Sequence, residues 1–208
     1  MIALLAVLLG APADPLPLEL SLRAGYARAL GTLERHSDLV APDPFNNLIP
    51  LAVEIRYRVY QFVSLATSFE IAPALSCRDQ RCNATSFRVG LGLHVQPREG
   101  EWRPFAALGL GYEWLRRSQH TIVIDAGGMA ADVEEARTDK GVAFVIAQLG
   151  VERELSASLR LGPYAQLSLG SYSKEDIELK PPVQPVTGVA PGGTHGFAQL
   201  GLRLSFEP

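Results

Sequence analysis

The chain has 208 residues, 47% of them hydrophobic and 20% charged, with a formal net charge of −3. That length suffices for one domain with a sizeable core. No basic cluster is long enough to track a phosphate backbone, which argues against a nucleic-acid partner. The mean hydropathy of +0.10 gives no bulk sign of a membrane protein.

Met1 to Ala13 (MIALLAVLLGAPA) is an apolar run ending in Ala11-Pro12-Ala13, an A-x-A-like cleavage pattern that reads as the end of a secretory signal. The usual basic region ahead of it is missing, so the true start is expected upstream. The run is well short of the roughly 20 residues a spanning helix needs. The mature domain is expected over 14–208.

From there the chain alternates. In the first expected strand, Leu18, Leu20, Leu22, Ala24 and Tyr26 face one way, and Glu19, Ser21, Arg23, Gly25 and Ala27 the other. A long connection, Gly31 to Leu48, follows. Ile49 to Tyr60 is the clearest segment: Ile49, Leu51, Val53, Ile55, Tyr57 and Val59 oppose Pro50, Ala52, Glu54, Arg56, Arg58 and Tyr60. A period of two puts alternate side chains on opposite faces of a strand. After a tight turn, Val63, Leu65, Thr67, Phe69 and Ile71 alternate with Ser64, Ala66, Ser68 and Glu70.

The connection Ala72 to Thr85 holds CRDQRC, with Cys77 and Cys82 as its ends. In an exported chain this reads as a local loop-closing disulfide. It is not the C-x-x-C of a redox site, and zinc would need more ligands nearby. The fourth strand has Phe87, Val89, Leu91, Leu93 and Val95 outward and Arg88, Gly90, Gly92 and His94 inward. The fifth sets Ala106, Leu108, Leu110, Tyr112 and Trp114 against Phe105, Gly109, Gly111 and Glu113. A long connection, Arg116 to Lys140, is expected next, with Thr121 to Ile124 able to prolong a hairpin.

In the sixth strand Ala147, Leu149 and Val151 face out and Gln148, Gly150 and Glu152 in, which leaves Phe144 and Ile146 on the polar side. The seventh places Leu159, Leu161, Ala165, Leu167 and Leu169 opposite Arg160, Gly162, Tyr164, Gln166 and Ser168. Pro163 lacks a donor and is expected beside an imperfect pairing. After the loop Ser171 to His195, the eighth strand carries Ala198, Leu200, Leu202, Leu204 and Phe206 against Phe197, Gln199, Gly201, Arg203 and Ser205.

Eight such segments of about ten residues, joined by alternating long and short connections and with no helix to cover the apolar faces, predict an all-β fold. The expected architecture is an eight-stranded antiparallel up-and-down transmembrane β-barrel with lipid outside and a polar, plugged lumen. The inward list holds Arg23, Arg56, Arg58, Arg88, Arg160 and Arg203 against Glu19, Glu54, Glu70, Glu113 and Glu152. Eight strands leave an interior that side chains fill, and buried charges must pair. A salt-bridge network joined by Gln148, Gln166, Gln199 and Tyr164 is therefore expected in preference to a selectivity filter. Tyr26, Tyr57, Phe69, Tyr112, Trp114 and Phe206 are candidates for interfacial aromatic girdles.

Carried by the signal-like start, the loop rhythm, Arg103-Pro104-Phe105-Ala106-Ala107-Leu108-Gly109-Leu110-Gly111-Tyr112 and the closing run Gly196 to Phe206, the chain resembles the small OmpA/OmpX-like outer-membrane barrels of Gram-negative bacteria. The resemblance implies residence in the outer membrane, contact with its lipid and lipopolysaccharide, a monomer, and recognition of the last strand by the barrel assembly machinery. Family members usually end on the aromatic residue; here Glu207 and Pro208 follow Phe206.

Some barrels of this size, the lipid A deacylases, are enzymes that place a His and a Ser together on a lipid-facing strand. The histidines here are His36, His94, His120 and His195, and no His-x-Ser lies on an outward face. G-x-S-x-G, phosphate-loop and H-E-x-x-H motifs are also missing. The expectation is a non-enzymatic barrel with no catalytic residue, metal or cofactor, acting in envelope structure or surface contact through its four long loops. Asp125, Asp132, Glu134 and Glu135 form an acidic loop run that reads as solvated. A soluble lipocalin-like barrel, the remaining alternative, would need the opposite polarity, apolar inside and polar outside.

Overall fold

The computed structural model describes residues 18–31, 45–77, 83–97, 100–124, 130–180, 183–188 and 194–207. The signal-like segment 1–13, Cys82 and Asp125 lie outside them, as do the side chains of Cys77, Asp132, Glu134 and Glu135. Among the described residues every regular element is a strand: β1 (Leu18–Gly31), β2 (Phe45–Leu48), β3 (Leu51–Tyr60), β4 (Val63–Cys77), β5 (Asn83–Val95), β6 (Trp102–Ile124), β7 (Ala130–Ser156), β8 (Leu159–Lys180), β9 (Val183–Gly188) and β10 (Thr194–Phe206).

All neighbours are antiparallel, and the sheet closes. β1 pairs with β3, β3 with β4, and so on in chain order to β8, which pairs with β10. β10 then returns to β1 from Leu20↔Phe206 to Gly31↔His195. The ring thus has eight staves, as alternation predicts. β2 extends the stave of β3, pairing with β1 and β4, and β9 is an extra strand on the far end of β8. Closure leaves the ring no free edge over the lipid-facing part of the wall, which is what a bilayer demands of a sheet.

Three expectations about the elements are corrected. The second segment is not one strand, because Ile49-Pro50 separates β2 from β3. Pro50 has no N–H to give the ladder, so the stave crosses the break through its carbonyl, which accepts from Gly25 N, and through Ile49 N, which donates to Pro73 O. The three later loops are also shorter than expected. β4 runs to Cys77, and β6 and β7 pair out to Ile124↔Ala130. β8 runs to Lys180. Over 116–120, 130–140 and 171–180 these extensions are mostly charged or polar and carry no continuous apolar face, so the lipid-strand pattern stops short of them.

The third correction concerns β7. Phe144 faces outward, 49% exposed, and not into the lumen. Phase flips because Phe144 and Val145 together oppose a single residue, Leu110, where the β6–β7 register shifts between Gly109 and Gly111. A bulge of this kind adds one residue and re-aims those that follow. Ile146 does lie inside, where a Cβ on Gly111 would sit 3.2 Å from its Cδ1 and 2.6 Å from the Val89 carbonyl oxygen. The expected irregularity at Pro163 is present: the β7–β8 ladder holds Gly150↔Tyr164 and Arg153↔Leu161 but skips the residues between.

The wall has reversed polarity. Leu20, Leu51, Ile55, Leu91, Leu108, Leu149 and Leu202 are all exposed, while Glu54, Arg56, Glu113, Glu152 and Arg203 are buried. From Trp102 to Trp114, β6 rises roughly 30 Å at ~3.3 Å per residue and ~40° of tilt, the thickness of a bilayer's hydrocarbon core. Among the described residues, no outward charge lies between the two rims. A soluble ligand cup would show the opposite arrangement.

Candidate functional site in the lumen

Inward positions from all eight staves meet in the lumen, because the period of two sends alternate residues there whatever their type. Within the lipid-facing height of the barrel, the charged ones form two separate clusters. The larger lies toward the short turns and joins Glu19, Arg23, Glu54, Arg56, Glu152, Arg160 and Arg203. Arg56 meets Glu19, lies 3.5 Å from Glu54 and donates to Ser21 and Ser205 at 2.7 and 2.9 Å. Arg203 reaches Glu54 and, at 3.2 Å, Glu152. Arg160 meets Glu19 and lies 3.2 Å from Glu152, while Arg23 lies 3.7 Å from Glu54.

Four arginines here meet three glutamates, so neutral acceptors take up the surplus N–H groups. Arg203 and Arg56 each donate to His94 Nε2 at 3.1 Å, and Arg203 donates to Gln148 at 3.2 Å. Arg23 donates to Gln166 at 2.6 Å, and the amides continue through Gln199, reached at 3.1 Å, to the Tyr164 hydroxyl. His94 is thus an acceptor between two guanidiniums, stacked on Phe105 at 5.1 Å, and is not placed to act as a general base.

The second cluster lies toward the long connections. Arg88 donates to Glu70 at 2.9 Å and to Glu113 at 3.2 Å. Glu113 also meets His195, whose ring stacks on Tyr172 at 4.0 Å. Gly170 makes that meeting possible, since a Cβ there would lie 2.5 Å from Glu113 Oε1 and 3.0 Å from His195 Nε2. Between the clusters, Gly90, Gly92, Gly109 and Ile146 border a gap of about 40 Å³, room for isolated water rather than a channel.

Over the second cluster sits an apolar layer that the sequence reading missed: Ala27, Leu48, Ala72, Ala84, Leu115, Tyr172 and Phe197. The pattern puts Leu48 at the end of the Gly31–Leu48 connection and ends the fifth strand at Trp114, one residue before Leu115. The usable signal was continued alternation, Glu113-Trp114-Leu115-Arg116-Arg117. Above the layer, Arg117 and Arg137 hold Asp139 at 2.6 and 3.4 Å, and Arg137 also meets Glu175.

Arg58 joins the larger cluster at the short-turn mouth through Glu207. It and Arg160 hold the Glu207 carboxylate, each at 2.8 Å, and Glu207 N donates to Ser158 O at 2.9 Å. Partial burial would raise the Glu207 pKa, but hydrogen bonds from the two arginines hold it at about 2. A carboxylate depressed on folding stabilises the folded state above its unfolded value, 4.5, and that stability is lost as pH falls toward 2. Glu207→Gln is therefore expected to flatten the acid-side loss of stability between about pH 4.5 and 2, read by urea midpoints at stepped pH. Identical profiles for the two chains would contradict this.

The girdle candidates are dispersed over both ends of the wall. Tyr57 and Phe206 stand near the short turns, with Trp102 and Phe62. Tyr26, Phe69, Tyr112 and Trp114 stand toward the other rim, where Tyr26 donates to Asn47 and Tyr112 meets Trp114 edge-on at 4.8 Å. Among the described residues, no group of three His, Cys, Asp or Glu side chains is arranged to hold a metal. The two described histidines contact guanidiniums and a carboxylate, not a serine hydroxyl.

The chain matches no protein-family model and no curated protein. Among solved structures, Neisserial surface protein A (NspA) aligns with a TM-score of 0.55 at 12% identity, over 92% of this chain and 97% of that one. The outer membrane protein OprG from Pseudomonas aeruginosa aligns with a TM-score of 0.51 at 11% identity, over 93% and 98%. The closed eight-stave ring, its outward apolar wall and these two alignments lead to one conclusion: the chain has the fold of the small outer-membrane β-barrels.

Proposed function

We propose that the protein is a non-enzymatic, monomeric integral barrel of a Gram-negative outer membrane. In this reading its lumen is sealed and its work is done at the cell surface. The observation that carries it is the reversed polarity: an uncharged apolar wall around fully buried, mutually paired arginines and glutamates. Such a surface is stable only in lipid, with lipopolysaccharide as the expected neighbour in the outer leaflet. β10, ending at Phe206, is the segment offered to the barrel assembly machinery. The paired β6–β7 and β8–β9 extensions, together with 32–44 and 78–82, supply the surface contacts.

With the lumen filled by paired and hydrogen-bonded side chains, the purified chain should give no conductance steps in planar bilayers while showing heat-modifiable mobility from the outer-membrane fraction. Ion-selective steps would overturn the sealed reading, and recovery in the soluble fraction would overturn the membrane one. Replacing 119–135 by a short turn should weaken surface contact yet keep the heat-modifiable barrel, since β6 and β7 stay paired from Trp102↔Arg153 to Ser118↔Ala136 without them.

A further inference from the structure

The outward face is charged only at its rims, and the two rims differ. At the short-turn rim Arg153 is neutralised by Glu101 at 2.7 Å and lies over the Trp102 ring. At the other rim Arg28, Arg116, Lys140 and Lys174 point outward, with Asp176 and Glu178 further along β8 on the same face as Lys174. Lys140 is paired with Asp176 at 2.7 Å. Arg116 and Lys174 are exposed and have no ion-pair partner among the described residues.

Register brings three of these cations together. Trp114 pairs with Lys140, and Lys140 with Lys174, across three adjacent staves, while Arg116 is the next outward residue on β6. Like charges directly opposite in a sheet repel, and Asp176 offsets only one of the two lysines. Lys174 faces outward because of a bulge: the β7–β8 register shifts between Lys140 and Gly141, leaving Ser173 as the extra residue. Tyr172 on one side of it is buried and Lys174 on the other is exposed. Without the bulge, Lys174 would share the inward face of Tyr172.

Directly below the cations lie Tyr112, Trp114, Val142 and Phe144, an apolar surface at the top of the lipid-facing wall. A ligand matching both parts must carry anionic groups at the level of Arg116 and Lys174 and hydrocarbon beneath them. A free phosphate ion would use only the upper part. Phosphate suits paired guanidinium and ammonium donors, and cations beside a membrane surface are drawn to anionic headgroups.

We propose that the outer wall of β6, β7 and β8 binds a phosphorylated glycolipid of the outer leaflet, with Arg116, Lys140 and Lys174 on its phosphate and Tyr112, Trp114 and Phe144 against its acyl chains. This rests on the membrane reading above. The test uses the full chain in neutral detergent micelles, titrated with fluorescent bis-phosphorylated lipid A. Binding should weaken with salt. The double variant Arg116→Gln, Lys174→Gln should weaken it on the order of tenfold or more, since each surface cation adds favourably.

Arg153→Gln, at the opposite rim, should bind as wild type does. Equal binding by the wild-type chain and the double variant, or displacement of the glycolipid by millimolar inorganic phosphate, would overturn the site. All three chains should keep heat-modifiable mobility. A wild-type chain lacking it would sink the membrane reading itself, a result distinct from loss of the lipid site alone.

Discussion

Replacing Glu152 by glutamine is expected to cost about 3–5 kcal/mol of folding free energy, the scale for breaking a buried ion pair from one side. Glu152 is fully buried and lies within 3.9 Å of Arg56, 3.2 Å of Arg160 and 3.2 Å of Arg203. Its cluster already has one arginine in excess. Glutamine keeps the volume and leaves Arg23, Arg56, Arg160 and Arg203 facing Glu19 and Glu54, with Glu207 on Arg160 alone among them. Arg56→Ala should cost less, because Glu19 retains Arg160, Glu54 retains Arg23 and Arg203, and Glu152 retains two arginines. Adding Arg56→Met to Glu152→Gln should recover part of the loss, a coupling a double-mutant cycle isolates. Urea unfolding in phospholipid vesicles measures all three. A Glu152→Gln cost below about 1 kcal/mol, the scale of an exposed pair, would contradict the buried network.

Leu200→Arg should be equally damaging for the opposite reason. Leu200 is 68% exposed, paired with Tyr26 on one side and Ala165 on the other. On a water-facing surface such a change falls within about 0.5 kcal/mol. On a lipid-facing wall near the bilayer midplane, an arginine costs about 2–4 kcal/mol. The same vesicle experiment reads the difference, and a near-zero effect would mean that water, not hydrocarbon, bathes this face.

The charge balance of the lumen shows how far the sequence could be read. The sequence sorts strand residues onto two faces, because alternation assigns a face without knowledge of neighbours, and it sends Phe144 to the wrong one. It also showed that arginines and glutamates nearly cancel. It did not show that they divide into one cluster with surplus arginine and another in which Arg88 faces both Glu70 and Glu113. That division depends on height along the axis, which is set by the stagger between staves. The surplus is settled by His94, Gln148 and Gln166, whose acceptor role follows from which arginines reach them.

Residue pattern alone, then, determined the all-β class and the eight-stave up-and-down plan, since period-two segments and the rhythm of their connections are local features. Tertiary structure decided what local period leaves open. The bulges at Phe144 and Ser173 shift phase by one residue, and only the pairing of β7 with its neighbours reveals them. The apolar layer of Leu48 and Leu115 forms outside the lipid-facing pattern, because inward side chains far apart in sequence converge inside a closed ring. Closure turns a list of faces into contacts, and those contacts form between residues as distant in the chain as Glu19 and Arg160.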